Sequence, residues 1–501
     1  MVSQIDGTQI WMLSPELGVV LLGFLVLGLD LITKRRGVVI ATALIGLCIP
    51  ALLTLSLALH SFGSYPKTAF FGMLTVDGYA IFFQALFLVI GFAVMLVSTG
   101  YVERYLRSTV GEYLSIILFS LAGMMLMSGT TELISIYISL ELTSIPLYIL
   151  AGLSRSDKRS AEAAVKYVLL GAMSSAILLY GMALLYGVTG STALSEIATS
   201  ITSSTSDITS GNLLLLAADV FIFTGFGFKI SAVPFHMWAP DIYEGAPTPS
   251  TLFFSVGSKA AGFAVLLRVF VVGGLAATSS SYLWVLVAIV AALTMTLGNV
   301  VALLQTNIKR MMAYSSIGQA GYLLVGLTAV IIHGQPAGNL GMLAFLAVYV
   351  VTNIGAFAGI IGFADVSGKE NITDFDGLGR RSPWIAAGMG LCLLSLAGIP
   401  PMGGFLSKLF ILASAWQQGS ALTWLVVLGL INSAISIVYY VNILWRMFVI
   451  EPDRPDRLAM PRAVNVTMAF SVVGILAVTV IFGVLLTNVG AGASSLFTIV
   501  R

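Results

Sequence analysis

The chain has 501 residues, 58% of them hydrophobic and only 9% charged, with 24 Lys and Arg against 22 Asp and Glu, a net charge of +2 and a mean hydropathy of +1.01. Soluble domains carry about 25% charge, and no water-soluble fold of this length hides so much apolar surface, so the chain reads as an integral membrane protein. Nucleic-acid binding would need a basic patch, disorder a low hydropathy, and a disulfide framework or four-thiolate metal centre more than the two distant cysteines Cys48 and Cys392.

Gly225-Phe226-Gly227 and Gly377-Leu378-Gly379 lack the third glycine of a dinucleotide fingerprint, and no phosphate-binding Gly-Lys-Ser/Thr loop occurs. The chain is therefore expected to carry no redox cofactor, nucleotide or metal of its own. Met1 to Ser14 holds Asp6 but no Lys or Arg, whereas a cleaved signal wants a basic start. The first apolar run thus reads as a retained helix.

About 20 apolar residues cross a bilayer as helix, and fourteen stretches qualify: 15–33, 38–60, 77–101, 112–129, 131–152, 162–187, 212–236, 247–272, 282–304, 309–332, 339–363, 383–415, 421–449 and 463–487. The runs are continuous, without the alternation of a transmembrane barrel. The fourth and fifth nearly abut. The twelfth is too long for one straight crossing, which predicts a break. Basic residues orient the bundle. One side gathers sixteen: Lys34, Arg35, Arg36, Arg104, Arg107, Arg155, Lys158, Arg159, Lys309, Arg310, Lys369, Arg380, Arg381, Arg454, Arg457 and Arg462. The other holds two, Lys67 and Arg501. Both termini are expected on the outer side. The polar connections Gly190–Gly211 and Ala364–Ser382 read as surface loops, and no solenoid-type repeat is visible.

Ionisable groups inside spans cost several kcal/mol, roughly 2.5–3.5 at the centre, and persist mostly where they work. Glu141 lies mid-span in Ser139-Leu140-Glu141-Leu142-Thr143-Ser144, Lys229 in Gly227-Phe228-Lys229-Ile230, Lys259 in Gly257-Ser258-Lys259-Ala260 and Lys408 in Phe405-Leu406-Ser407-Lys408. The bland alternative is one structural ion pair with Glu141 and lysines that snorkel to an interface. Burial weakens the preference of a lysine for its charged form and a nearby carboxylate restores it, so one acid among buried lysines makes a tunable proton store. Pro234 and Pro240 are expected to interrupt the seventh span beyond Lys229. Gly398, Pro400, Pro401, Gly403 and Gly404 are expected to interrupt the twelfth before Lys408. Broken helices in corresponding halves point to an ion site at mid-membrane. His236 either relays protons or bonds a freed carbonyl. Lys166 and Arg268 read as structural or entrance residues. Asp219, ten residues before Lys229, either lines a water entrance or sits at the lipid boundary.

Phe228-Lys229 followed by Val233-Pro234-Phe235-His236-Met237-Trp238-Ala239-Pro240-Asp241-Ile242-Tyr243-Glu244-Gly245-Ala246-Pro247 resembles the signature of the antiporter-like membrane subunits of respiratory complex I, closest to the subunit N branch. Gln305-Thr306-Asn307-Ile308-Lys309-Arg310-Met311-Met312-Ala313-Tyr314-Ser315-Ser316 and Ser395-Leu396-Ala397-Gly398-Ile399-Pro400-Pro401 extend the likeness, which covers about residues 70 to 450. The resemblance implies an all-α polytopic protein of about 14 transmembrane helices in two inverted five-helix repeats. Helices 1–3 would occupy 1–110, the first repeat 111–272, the second 273–449 and the last helix 450–501. It also implies proton translocation through Glu141, Lys229, Lys259 and Lys408, with His236, Gln319, Asp219 and Tyr314 as possible relay or water-ordering groups. Quinone, Fe–S clusters and FMN would belong to partner subunits, among them antiporter-like subunit M and small membrane subunits, in an energy-transducing membrane. Lysine on the twelfth helix favours the N branch over M, and the lack of a long amphipathic C-terminal extension argues against L. Gln319 stands where the family often has histidine, so a proton cannot be carried by that side chain. The competing readings are a subunit of a multi-subunit sodium/proton antiporter and an inert membrane scaffold.

Overall fold

The computed structural model describes residues 6–33, 35–60, 67–106, 109–154, 157–203, 211–275, 282–333, 336–452 and 456–480, with parts of 482–496. Among the described residues twelve helices, from Ser14–Ile32 to Arg462–Val480, are long and apolar enough to cross a membrane. The helix Gly211–Lys229 and the paired short helices Pro383–Ala397 and Gly403–Trp416 stand at the seventh and twelfth stretches, so all fourteen recur as helix. This follows from the solvent: in hydrocarbon every backbone N–H and C=O must be satisfied within the protein, and a helix does so by itself. Of the basic residues used for orientation, Lys34, Arg107, Arg155, Arg454 and Arg501 lie outside the described residues.

The fourth and fifth spans, Val110–Gly129 and Leu133–Ala151, are separated only by Thr130, Thr131 and Glu132, whose carboxylate caps the fifth by accepting from the Ser135 N–H at 2.7 Å. The connection Gly190–Gly211 differs from the expected loop. It contains the helix Leu194–Ser203, with Leu194, Ile197, Ala198 and Ile201 buried along one stripe. Serine and threonine dominate the composition there, but the apolar residues keep a helical spacing. The connection Ala364–Ser382 likewise carries two short helical turns, Ile372–Phe375 and Leu378–Arg381. A two-stranded antiparallel pair, Lys67–Ala69 with Leu74–Val76, precedes the third span.

Burial separates inner from outer helices. The eighth span, Thr248–Val272, is wholly enclosed, and Ile308–Ile332 and Ala337–Ser367 nearly so. Ser420–Phe448 and Arg462–Val480 instead turn most of their surface outward, where apolar side chains suit lipid. Small residues bring inner helices close: a Cβ on Gly298 would lie 2.4 Å from the Gly318 nitrogen, so these backbones touch as membrane helices with small-residue contacts do. Arg268 and Asp77 form a fully buried ion pair, both carboxylate oxygens accepting at 3.0–3.1 Å, while Arg268 Nε donates to the Ser128 carbonyl at 2.7 Å. This clamp ties the eighth span to the start of the third and the end of the fourth.

Candidate functional site

The seventh helix stops at Lys229. Beyond it, Ile230–Met237 is non-helical until the short helix Trp238–Gly245 begins. The released carbonyls are recaptured locally: Phe226, Gly227 and Phe228 accept from the N–H groups of Ile230, Ala232 and Ser231, and Trp238 Nε1 donates to the Phe228 carbonyl at 2.7 Å. Pro234 lies in this break, as expected. Pro240 does not interrupt anything. It occupies the first turn of Trp238–Gly245, where a missing N–H costs no hydrogen bond.

Lys229 is 4% exposed, and its Nζ donates to Ser144 Oγ at 2.7 Å. Ser144 Oγ in turn donates to the Leu140 carbonyl at 2.6 Å. Glu141 lies one turn earlier on the same face of the fifth span. No ion pair within 4.0 Å joins it to Lys229, and its buried Oε1 has no hydrogen-bond partner among the described residues. A hydroxyl therefore stands where a direct carboxylate contact was one of the options. Lys229 also packs across the eighth span, since a Cβ on Gly262 would lie 3.3 Å from its Cγ.

The eighth span changes character just before its lysine. Phe254–Ser258 forms a π-helical turn and ordinary α-helix resumes at Lys259, an irregularity common at functional sites. Lys259, 2% exposed, donates to Ser316 Oγ. The Tyr349 hydroxyl donates to the same oxygen at 3.2 Å, and Tyr243 OH approaches it at 3.5 Å. Ser316 is thus a junction for the eighth, tenth and eleventh spans and the second half of the seventh.

The twelfth span breaks over Gly398–Met402, with Gly398, Pro400 and Pro401 in the break as expected, whereas Gly403 and Gly404 open the helix Gly403–Trp416. Gly398 takes the left-handed conformation (φ 80°) that glycine adopts without penalty. Lys408 Nζ donates to the Leu396 carbonyl at 2.9 Å and the Ala397 carbonyl at 3.3 Å, and lies 5.0 Å over the Tyr322 ring. Terminal helix carbonyls carry partial negative charge and the ring face attracts cations, so this is a built cation site. Gln319 Nε2 donates to the same Leu396 carbonyl at 3.1 Å. Ser316 and Gln319 are one turn apart, so the tenth span touches Lys259 directly and Lys408 through Leu396.

The remaining expected groups divide. His236 is half-buried in the seventh-span break, where its ring bonds the Pro234 backbone, and its Nδ1 has no partner among the described residues. Asp219 is fully buried, which removes the lipid-boundary option. Tyr314 is half-buried, and its neighbours Ser315 and Ser316 carry the contacts instead, Ser315 to the Tyr440 hydroxyl. Lys166 is bonded to Asp241 at 2.7 Å and Glu162 at 2.8 Å and lines a polar cavity with Arg159, Glu244 and Arg310. Ser144 and Tyr349 were not singled out from the sequence. For Ser144 a signal existed, its position one turn from Glu141. Among the described residues no three His, Cys, Asp or Glu side chains come together as a metal site.

Residues 130–436 match the family described as NADH:quinone oxidoreductase/Mrp antiporter, TM. The NAD(P)H-quinone oxidoreductase subunit 2 of Microcystis aeruginosa is 44% identical over 456 residues, 90% of this chain and 85% of that protein. The NADH-quinone oxidoreductase subunit N of Heliobacterium modesticaldum is 42% identical over 479 residues, 94% and 96% respectively. A chain of respiratory complex I from Thermus thermophilus superposes with a TM-score of 0.77 at 32% identity, covering 94% of this chain and 98% of that one. A chain of the Mrp complex from Dietzia gives 0.86 at 20% identity over 98% and 99%, a likeness of fold alone. The chain belongs to the NADH:quinone oxidoreductase/Mrp antiporter family of membrane subunits.

Proposed function

We propose that this chain translocates protons as an antiporter-like membrane-arm subunit of a complex I-type quinone oxidoreductase, driven by redox chemistry in other subunits. The observation that carries the reading is that Lys229, Lys259 and Lys408, all enclosed at irregular points of their helices, are held by hydroxyl or carbonyl oxygens rather than by carboxylates. An ammonium locked to a carboxylate strands a charge when it gives up its proton. A hydroxyl both donates and accepts, so Ser144 and Ser316 serve the charged and the neutral lysine alike. Glu141, near Lys229 but out of contact, acts through its field, and a shift of this acid relative to the lysine is the signal that starts release.

Lys259 is the bridge in this scheme and Lys408 the end nearest the exit. Export costs about 2.3 kcal/mol per charge per 100 mV, which must come from neighbours. Those neighbours are an antiporter-like subunit M and small membrane subunits, with quinone, Fe–S clusters and FMN elsewhere in the assembly. The recurrence of a broken helix beside a buried lysine supports two inverted repeats over 111–272 and 273–449. The distribution of basic residues supports both termini on the outer side of an energy-transducing membrane. The test is Lys229→Ala in the assembled complex, in which pumping is lost. Normal pumping by that variant overturns the proposal.

A further inference from the structure

We infer that Gln319 fixes a single water that completes the hydrogen-bonded route between Lys259 and Lys408. The inference rests on the proton-relay reading above and assigns a task to an amide that cannot itself carry a proton.

From Lys259 the bonded groups run to Ser316 and on to Tyr349. Tyr349 also contacts Ser255 at 3.4 Å, but no direct contact continues from it toward Lys408 among the described residues. Tyr349 lines a small cavity, about 10 Å³ measured as the space open to the centre of a water-sized sphere, together with Gln319, Thr352, Ser395, Ser407 and Lys408. That is room for about one water, which needs two to four polar partners. The lining supplies them. Gln319 is 2% exposed, and its Nε2 is committed to the Leu396 carbonyl. A flipped amide would set oxygen against oxygen, so the nitrogen position is fixed and Oε1 is the atom left over. It is buried and has no hydrogen-bond partner within 3.5 Å among the described residues, although the Tyr440 hydroxyl lies beside the same amide. Lys408 has three N–H groups as an ammonium, of which two donate to the Leu396 and Ala397 carbonyls. A buried acceptor without a donor and the Lys408 ammonium, whose remaining N–H has only the Tyr322 ring face, thus belong to side chains lining one cavity.

Once the Tyr349 hydroxyl turns away from Ser316 Oγ, to which it donates in the structure, the water accepts from Tyr349 and donates to Gln319 Oε1 and to a neutral Lys408 amine. A proton leaving the Lys259 ammonium passes to Ser316, whose own proton goes to Tyr349. Tyr349 passes its proton to the water, and the water passes one to Lys408. Lys259 ends as amine and Lys408 as ammonium, while each hydroxyl and the water gain and lose one proton. When Lys408 is charged the water turns to accept from it and still donates to Gln319. An acceptor that never titrates holds the water in either state, which a histidine there would not do.

The test compares the native complex with Gln319→Leu, Gln319→His and Lys408→Met. A cryo-EM map of the native complex should show one water between Gln319 and Lys408, absent in Gln319→Leu. Pumping should fall roughly tenfold in Gln319→Leu, the factor that goes with one buried hydrogen bond, while the KM for quinone is unchanged. Gln319→His should recover most of the rate and add a titration near neutral pH that the native complex lacks. If Gln319→Leu fails to assemble, Gln319→Asn withdraws the same amide by one methylene and gives the same pair of outcomes. An empty native cavity, or native pumping without Gln319 while Lys408→Met is inactive, overturns the water. Unimpaired pumping by Lys408→Met overturns the relay reading itself.

Discussion

Ser144→Ala removes one oxygen from a site that is 1% exposed and deprives Lys229 of its hydrogen-bond partner at 2.7 Å. The change in volume is small, so the consequence is electrostatic rather than a packing defect. A hydrogen bond to a charged group contributes about 1.5–3 kcal/mol, and about 1.4 kcal/mol corresponds to a factor of ten. The balance between ammonium and amine at Lys229 should therefore shift by roughly tenfold to a hundredfold, and coupled pumping should slow by at least about tenfold. Glu141 lies beyond 4.0 Å from Lys229, so at an effective dielectric near 20 its influence is at most about 4 kcal/mol. The two effects are comparable, and a Ser144→Ala/Glu141→Gln cycle separates them. The assay is redox-driven acidification of inverted vesicles carrying the whole complex, read by a pH-sensitive dye beside quinone reduction. Ser144→Thr, which keeps the hydroxyl, should retain most activity. An assembled Ser144→Ala complex that pumps within about twofold of native refutes the reasoning.

Glu141→Gln keeps the shape of the side chain and loses its charge, so pumping should fall while assembly, read by native gel, stays intact. Asp77→Asn leaves Arg268 fully buried without its counter-charge; a loss of about 3–5 kcal/mol is expected, measured by thermal unfolding of the complex, and Asp77→Asn/Arg268→Met should recover part of it. In Gly404→Ala the new Cβ would lie 1.9 Å from the Ser395 carbonyl oxygen, forcing apart the two halves of the twelfth span. Misplacing Lys408 by about 1 Å should cost on the order of a hundredfold in pumping. Asp241→Asn breaks contacts with Lys166 and Arg310 that are partly exposed, so the unfolding temperature should change little and less still in high salt.

Sequence alone determined the class of fold and the inventory of unusual charges. Both rest on a property each segment has by itself: a bilayer demands about 20 apolar residues of self-satisfied helix, and an ionisable group that violates that demand stands out one residue at a time. The break in the twelfth span was legible for the same reason, because Gly398, Pro400 and Pro401 act locally on the backbone. The seventh was less so. Pro234 and Pro240 look alike in sequence, yet one lies in the break and the other opens the next helix, a difference set by where the chain re-enters a helical turn. The tertiary structure decided the partners. Ser144 lies 85 residues from Lys229 and Ser316 lies 57 from Lys259, and neither serine differs in type from the many others that merely bond their own helix. A hydroxyl becomes a site only when packing presses it against a lysine from another helix. Composition, periodicity and spacing within one segment carry no information about that contact.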